Sequence, residues 1–581
     1  MSARAAALTV VTLSLACASG PDASSSGTAP PSSVRVPSSS ATAESAPRAP
    51  RTLSLVGTND LHGRVHALPL LAGYVENLRA ARRADGGSVL LLDAGDIVQG
   101  TLESNLLEGI PVRDAYAKMG YAAVAIGNHE FDFGPVGPAA TPRDASDDRR
   151  GALIALSKDA PFPFLAANIL DKKTRARVTW PNVVPHVIVE SAGTKVALIG
   201  VTTEETLRTT IFPNVDDLAM MPMLEAIREQ AKIVREKGAT VVIVSAHAGG
   251  KCKRYSGDVA ADECETNSEI FELARALPKG SVDAIVAGHS HAGVAHEVNG
   301  IAIIEQHAYG VAFGRVDLTV GPEGSVVAKK IFAPQTLCGE PKASLETCEP
   351  GPYEGAPVRR SSEIMAILKP AIDQSSARRK EEIGPTLTSE VKRAYDEESA
   401  LGNLFADLML AGSKGVDVSF MNGGGLRTSL PAGKLTYGAL FEAFPFDNRL
   451  ATAEVTVGEL ERILSNNLIR SGGILSVAGV HVTAVCKAGA LEVSITKPPS
   501  KKPLADDVKL KIVGSDFMFL GGDGFWGEVK DKPIEVSNDL MRDVMEAELK
   551  KQPSIDPAKL FDAKNRRMRL PGLRPLSCAK P

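Results

Sequence analysis

Residues 127–132 read G-N-H-E-F-D, from Gly127 to Asp132. An apolar, alanine-rich run over residues 121–126 precedes them and predicts a buried strand. Gly127 permits a sharp turn at its end. An amide, an imidazole and two carboxylates follow within five residues. An apolar strand ending in Gly and then polar groups holds reactive side chains at the carboxyl edge of a sheet. Asn128, His129 and Asp132 are the candidates. An Asn-His pair alone also fits a helix cap or a surface turn, so the rest of the chain must decide.

The same pattern recurs on both sides. Residues 52–57 (TLSLVG) are strand-like and run into TNDLHGR, which places Asp60 and His62 one residue apart. On an extended segment such positions face the same way, so both reach one ion. Residues 88–92 form an apolar strand that ends in DAGDIVQG, with Asp93 and Asp96. Further strands are expected over 195–201, 240–245 and 282–287. The second runs into AHAGG with His247, and the third into GHSHAG with His289 and His291. Helices are expected over 70–83 and 218–237. Strands alternating with helices, with polar ligand types after the strands, predict a layered α/β domain with its site along one sheet edge.

The candidate ligands are Asp60, His62, Asp96, Asn128, His247, His289 and His291. Mixed imidazole and carboxylate donors suit borderline divalent ions such as Zn²⁺, Mn²⁺ or Fe²⁺. Seven donors are too many for one tetrahedral ion. They suit two ions that share a bridging carboxylate, spaced roughly 3.5–4 Å apart to clamp a phosphoryl group. Each residue taken singly also fits a blander role: a hydrogen-bonded or surface histidine, a turn, or a helix cap at Asp93 or Asp96. Five elements that each end in such residues argue for the combined reading.

Residues 351–360 turn Pro- and Gly-rich, and residues 362–382 are polar and helical. From Gly384 a second α/β pattern runs to about Leu570. It contains GNLFADLML, VDVSFMNGGGLR, YGALFEAFPFDNRL and DFMFLGGDGFW, with no internal repeat.

The ordered set D-L-H, G-D, G-N-H-E-F-D, H and G-H-S-H resembles the calcineurin-like metallophosphoesterases. With the second half, residues 51–570 resemble the two-domain 5′-nucleotidase family. The resemblance implies a four-layer α/β/β/α sandwich over 51–360, a linker helix over 361–383 and a second α/β, nucleotide-binding domain over 384–575. It implies Asp60, His62, Asp96 and His291 around one ion, and Asp96, Asn128, His247 and His289 around the other, with Asp96 bridging. The ions would be Zn, Mn, Co or Fe. His129 and Asp132 would be the catalytic dyad, and a hydroxide made on the ions the nucleophile; Glu130 and Asp93 would be structural. Phe446 and Phe517 would sandwich a base, Asp523 would bind ribose, and Arg427 a phosphate or carboxylate. Asn422 and Asn448 would contact base or ribose. Tyr395 stands where the family carries an Arg ahead of its E-x-x-x-G-N segment, here Glu398 to Asn403, and Arg393 lies two residues earlier. The implied activity is removal of a nucleotide 5′-phosphate. The alternatives are a 2′,3′-cyclic nucleotide phosphodiesterase, a nucleotide-sugar diphosphatase, a sulfur-ester hydrolase of the thiosulfohydrolase type, and a surface binding lipoprotein.

Composition excludes other classes. The 581 residues carry a net charge of −4, so no basic footprint for a nucleic-acid polymer exists. Arg4, an apolar run over residues 5–16 and then Cys17 form an export signal of lipoprotein type, which would attach the chain to a membrane through a lipid on Cys17. The run is too short to span a membrane. Residues 18–50 are almost all Ser, Ala, Pro, Gly and Thr, the composition of a tether. The chain has seven Cys. Setting aside Cys17 leaves two close pairs, Cys252 with Cys264 and Cys338 with Cys348, and one distant pair, Cys486 with Cys578. They suggest disulfides in an oxidising compartment, the periplasm or cell envelope, although sequence leaves the connectivity open.

Overall fold

The computed structural model describes residues 49–578 apart from 138, 256–263, 340–343, 531 and 565. Residues 1–48 hold the expected signal, Cys17 and nearly all of the tether, and lie outside the described residues.

Two sheets face each other in the first half. One runs edge to edge as Val326–Thr336, Ala312–Val320, Arg51–Thr58, Ser88–Asp93, Tyr121–Ala125, Phe164–Leu165 and Val183–Val184. The other runs Val294–Val298, Ile301–Glu305, Ala284–Ala287, Val241–His247, Thr194–Thr202 and His186–Ser191. Alternation along each strand builds the layers. Leu53, Leu55, Leu90 and Leu92 share one buried cluster with Val241, Ile243 and Val286 between the sheets. Val56 and Leu91 turn outward onto the helices Leu68–Asp85 and Ile110–Met119. Val242 and Val244 turn outward onto Met223–Glu236 and Glu269–Ala276. This is the four-layer α/β/β/α sandwich.

One expected element divides. Residues 218–237 form a strand, Leu218–Met220, and then a helix, Met223–Glu236. Pro222 stands at the junction, where it has no N–H to give and disfavours helix in the residue before it.

Ser362–Lys380 is the helix between the halves, capped by the Ser361 side chain. It packs on Leu68–Asp85 and Ile110–Met119 on one side and on Tyr437–Ala443 on the other. The second half is built on a five-stranded sheet ordered Leu475–Ala478, Val418–Asn422, Lys509–Ser515, Arg449–Thr456 and Glu535–Leu540. Ala400–Gly412 and Met541–Leu549 cover one face, and Val457–Ile469 covers the other. The disulfides are Cys252–Cys264, Cys338–Cys348 and Cys486–Cys578, the pairing that spacing suggests.

Candidate dimetal active site

Three neighbouring parallel strands of the first sheet deliver Asp60, Asp96 and Asn128–His129 at their carboxyl ends. Two neighbouring parallel strands of the second sheet deliver His247 and then His289 and His291. Packing the sheets face to face brings both sets to one rim. Gly127 is required there by close approach, since a Cβ on it would lie 2.3 Å from Asp96 Oδ1 and 2.8 Å from the His247 ring. The backbone departs from the extended reading of 60–62: Asp60 and His62 both have φ +48, and Asp96, His289 and His291 also lie in the left-handed region. Non-glycine residues there are strained, and such strain gathers at functional sites.

Hydrogen bonding fixes which atoms point inward. His62 Nδ1 donates to the Gln99 carbonyl at 2.9 Å, and His247 Nδ1 donates to the Ala94 carbonyl at 2.8 Å. Each ring therefore aims Nε2 at the centre. His62 Nε2 meets His291 Nε2 at 3.0 Å. His247 Nε2 meets Asn128 Oδ1 at 2.9 Å and Asp96 Oδ2 at 3.3 Å. Asn128 Nδ2 donates to the Thr209 carbonyl, so its oxygen is the atom facing His247. Acceptors thus face acceptors inside a buried cluster, an arrangement that a cation satisfies. Two ligand groups result: Asp60, His62 and His291, and Asp96, His247 and His289. Asp96 also groups with His62 and His129, and so reaches toward both. Among the described residues, the donor types fit a pair of divalent ions.

Charge follows the same geometry. Burial pushes the His62 imidazole well below its ordinary value, and Arg427 and His291 push it further. Burial and the His247 charge push His289 down to about 3. His247 moves up to about 10: burial opposes its charge, but the carboxylates of Asp96, Asp60 and Glu130 outweigh that. A divalent ion held by His247 would take the place of that proton. Burial would raise Asp60, and His291 and His247 hold it below the usual carboxylate range.

His129 Nδ1 lies 2.6 Å from Asp132 Oδ2, and Thr210 donates to the other Asp132 oxygen at 2.8 Å. Burial disfavours the imidazolium, yet Asp96 and Asp132 raise the His129 pKa above its ordinary value. Glu130 turns away from the ligands. Its carboxylate accepts the backbone N–H groups of Asp96, Ile97 and Gly127, tying two ligand loops together. Asp93 accepts from Thr58, Tyr116 and Gly95 and supports the same turn.

A cavity of about 490 Å³ opens on this cluster and is walled by both halves of the chain. Asp96, Asn128, His129, Asp132, His289 and His291 line one side; Asn422, Arg427, Phe446, Asn448, Phe517 and Asp523 line the other. Asp60, His62 and His247 lie deeper, each at most 1% exposed. Asn422 Nδ2 donates to Asp523 Oδ2 at 2.8 Å, and the Arg427 guanidinium lies 5.4 Å from the centre of the Phe446 ring. Arg393 and Tyr395 both line the cavity, so the arginine two residues ahead of Tyr395 reaches the site. Sequence reasoning missed Glu205, Thr210, Lys251 and Tyr309, which also line it. None sits in a motif of ligand types; Tyr309 is placed by its own N–H, which donates to the Asp60 carbonyl at 2.7 Å.

Two family models match the chain: calcineurin-like phosphoesterase over residues 53–293 and 5′-nucleotidase, C-terminal domain, over residues 378–529. Protein UshA of Yersinia enterocolitica is 27% identical over 506 residues, covering 81% of this chain and 86% of that protein. A 5′-nucleotidase of Vibrio cholerae is 27% identical over 534 residues, covering 85% of this chain and 90% of the relative. The crystal structure of a 5′-nucleotidase precursor from Thermus thermophilus has the same fold, with a TM-score of 0.68 at 24% identity over 89% of this chain and 99% of that one. Fold, ligand chemistry and both family matches agree, and the chain belongs to the two-domain 5′-nucleotidase family as a metal-dependent phosphoric monoester hydrolase.

Proposed function

We propose that this protein removes the 5′-phosphate of nucleotides outside the cytoplasm. The observation that carries the reading is the cavity that joins the ligand cluster to Phe446 and Phe517. A phosphate beside the cluster and a base stacked on Phe446 and Phe517 would occupy it. Asp60, His62, Asp96 and His291 would hold one ion, and Asp96, Asn128, His247 and His289 the other, with Zn, Mn, Co or Fe each compatible. When bound, such a pair neutralises phosphoryl charge and lowers the pKa of water.

The remaining steps belong to the chain's own residues. Asp132 orients His129 through Nδ1 and favours its charged form, leaving Nε2 free to donate. His129 then stabilises charge on the phosphoryl oxygens or gives a proton to the leaving oxygen. Arg427 brings a forked pair of donors to the same place. Arg427 Nη2 and His129 Nε2 lie 3.3 Å apart, which suits two donors that share a phosphate oxygen. Phe446 and Phe517 would stack on the base, Asp523, held by Asn422, would accept from ribose hydroxyls, and Asn448 would contact base or ribose.

The domain limits 51–360, 361–383 and 384–575 fit this division of labour. The signal-like N-terminus and the disulfides support export to the periplasm or envelope with a lipid on Cys17. Among the described residues no helix is long and apolar enough to cross a membrane. Assaying nucleoside monophosphates, cyclic nucleotides, nucleotide sugars and thiosulfonate esters with Mn²⁺, Zn²⁺ and Co²⁺ tests the reading. Preferred release of phosphate from AMP or its analogues supports it, and turnover confined to any other class overturns it.

A further inference from the structure

Arg542 is 4% exposed, although it carries a charge that no solvent shares. It stands second in the helix Met541–Leu549. A cation there meets the positive end of the helix dipole, so helix stability does not explain its presence. Its donors all turn to one segment and the helix that leads into it. Nη1 donates to the Phe444 carbonyl at 3.2 Å and to the Phe446 carbonyl at 3.0 Å. Nη2 donates to Asp447 Oδ1, and Nε donates to the Tyr437 hydroxyl at 3.3 Å. The guanidinium lies 4.4 Å from the centre of the Phe441 ring. One residue earlier, the Met541 N–H donates to the Asn448 carbonyl at 2.8 Å.

The segment held in this way, residues 444–448, lies between the helix Tyr437–Ala443 and the strand Arg449–Thr456 and is neither helix nor strand. It carries two cavity residues, Phe446 and Asn448. Such a loop lacks a ladder of its own, and its carbonyls need donors from elsewhere. A planar guanidinium meets two carbonyls and a carboxylate at once, which a lysine ammonium at the end of a flexible stem does not. We infer that Arg542 is a positioning residue for nucleoside recognition: by holding the Phe444 and Phe446 carbonyls and Asp447, it sets the Phe446 ring and the Asn448 amide in the cavity. The inference rests on the reading of Phe446 as a base contact.

The test is steady-state kinetics of full-length, ion-loaded Arg542→Gln and Arg542→Lys on AMP and on 4-nitrophenyl phosphate, beside Phe446→Ala. Arg542→Gln is expected to raise KM for AMP by about fivefold or more, the scale of one lost stacking contact. Its kcat and KM for 4-nitrophenyl phosphate should stay within about twofold of the parent, and Arg542→Lys should fall between. Equal losses on both substrates, or an unchanged KM for AMP in both variants, overturn the inference. If Arg542→Gln does not fold, Asp447→Ala, which removes the acceptor of Arg542 Nη2, must show the same split, and its absence overturns the inference. If Phe446→Ala raises KM for AMP while the Arg542 variants do not, only the positioning role falls. An unchanged KM for AMP in Phe446→Ala overturns the base-contact reading and the inference with it.

Discussion

The Arg427 guanidinium lies 3.3 Å from Nε2 of His129, across 298 residues of sequence. The contact joins the C-terminal domain to the ligand rim of the phosphoesterase domain. Asp132 holds the opposite nitrogen of His129, so Nε2 is the atom that faces the guanidinium. An oxyanion placed between the two would accept from both. His129→Ala should therefore lower kcat by roughly 10²–10⁴, the usual contribution of a positioned acid or base. Bound metal per chain, measured by elemental analysis, should not change; its loss would make His129 a ligand.

Phe517 lines the cavity from the short helix Asp516–Phe519, which follows the strand Lys509–Ser515. Phe517→Ala should raise KM for AMP by roughly five- to a hundredfold, as expected for a stacked base. KM for a small aryl phosphate, measured in parallel, should stay near the parent value. An equal rise for both would mean that the ring only shapes the cavity.

Asp96 approaches both ligand groups, whereas Asn128 faces only His247 and His289. Asp96→Asn should therefore deplete both ions, and Asn128→Ala should weaken one. Metal titration followed by calorimetry distinguishes the two variants. Identical stoichiometry in both would contradict a bridging position for Asp96.

Arg379 spans the two domains. It donates to Glu103 and to Glu442 at 2.6 Å each, and Arg64 pairs with Glu442 at 3.2 Å. Glu103 is 2% exposed, so loss of its partner strands a buried carboxylate. Arg379→Ala should cost about 2 kcal/mol, a figure reduced because the arginine itself is partly exposed. Adding Glu103→Gln should restore part of the loss of Tm, and a double variant no better than Arg379→Ala would remove Glu103 from the account.

Asp516 supplies a pH test. Burial raises its carboxyl from 3.8 to about 6, against backbone N–H donors from Phe517 and Arg449 that lower it. Its folded-state pKa exceeds its unfolded value, so the stability it contributes is complete below pH 3.8 and is lost as pH rises through about 6. The separation corresponds to about 3 kcal/mol. Asp516→Asn should raise Tm relative to the parent at pH 7.5 and change it little at pH 4. Scanning calorimetry at both values checks the sign, and equal shifts at the two would refute it.

The candidate ligands were legible because each sits in a short local pattern, an apolar strand followed by Asp, His or Asn. Residues 88–92 and 240–245 are apolar nearly throughout, so only packing decides that Leu90, Leu92, Val241 and Ile243 enter the space between the sheets. The helix expected over 218–237 failed where Pro222 outweighs the surrounding periodicity. The extended reading of Asp60 and His62 failed because positive φ is imposed by neighbours, such as the Gly95 and Asp96 carbonyls that accept from their N–H groups.

Alone, the sequence determined the α/β class, the order of the turns that carry the candidate ligands and the residue types gathered there, since all three depend on residue type and near spacing. Tertiary structure alone decided that Arg393, Tyr309 and Lys251 share the cavity, that Arg542 holds the Phe446 loop and that Arg427 meets His129. Those relationships join segments far apart in the chain. They exist only after two sheets have packed and the second domain has closed over their common rim, because no local periodicity encodes a contact that packing creates.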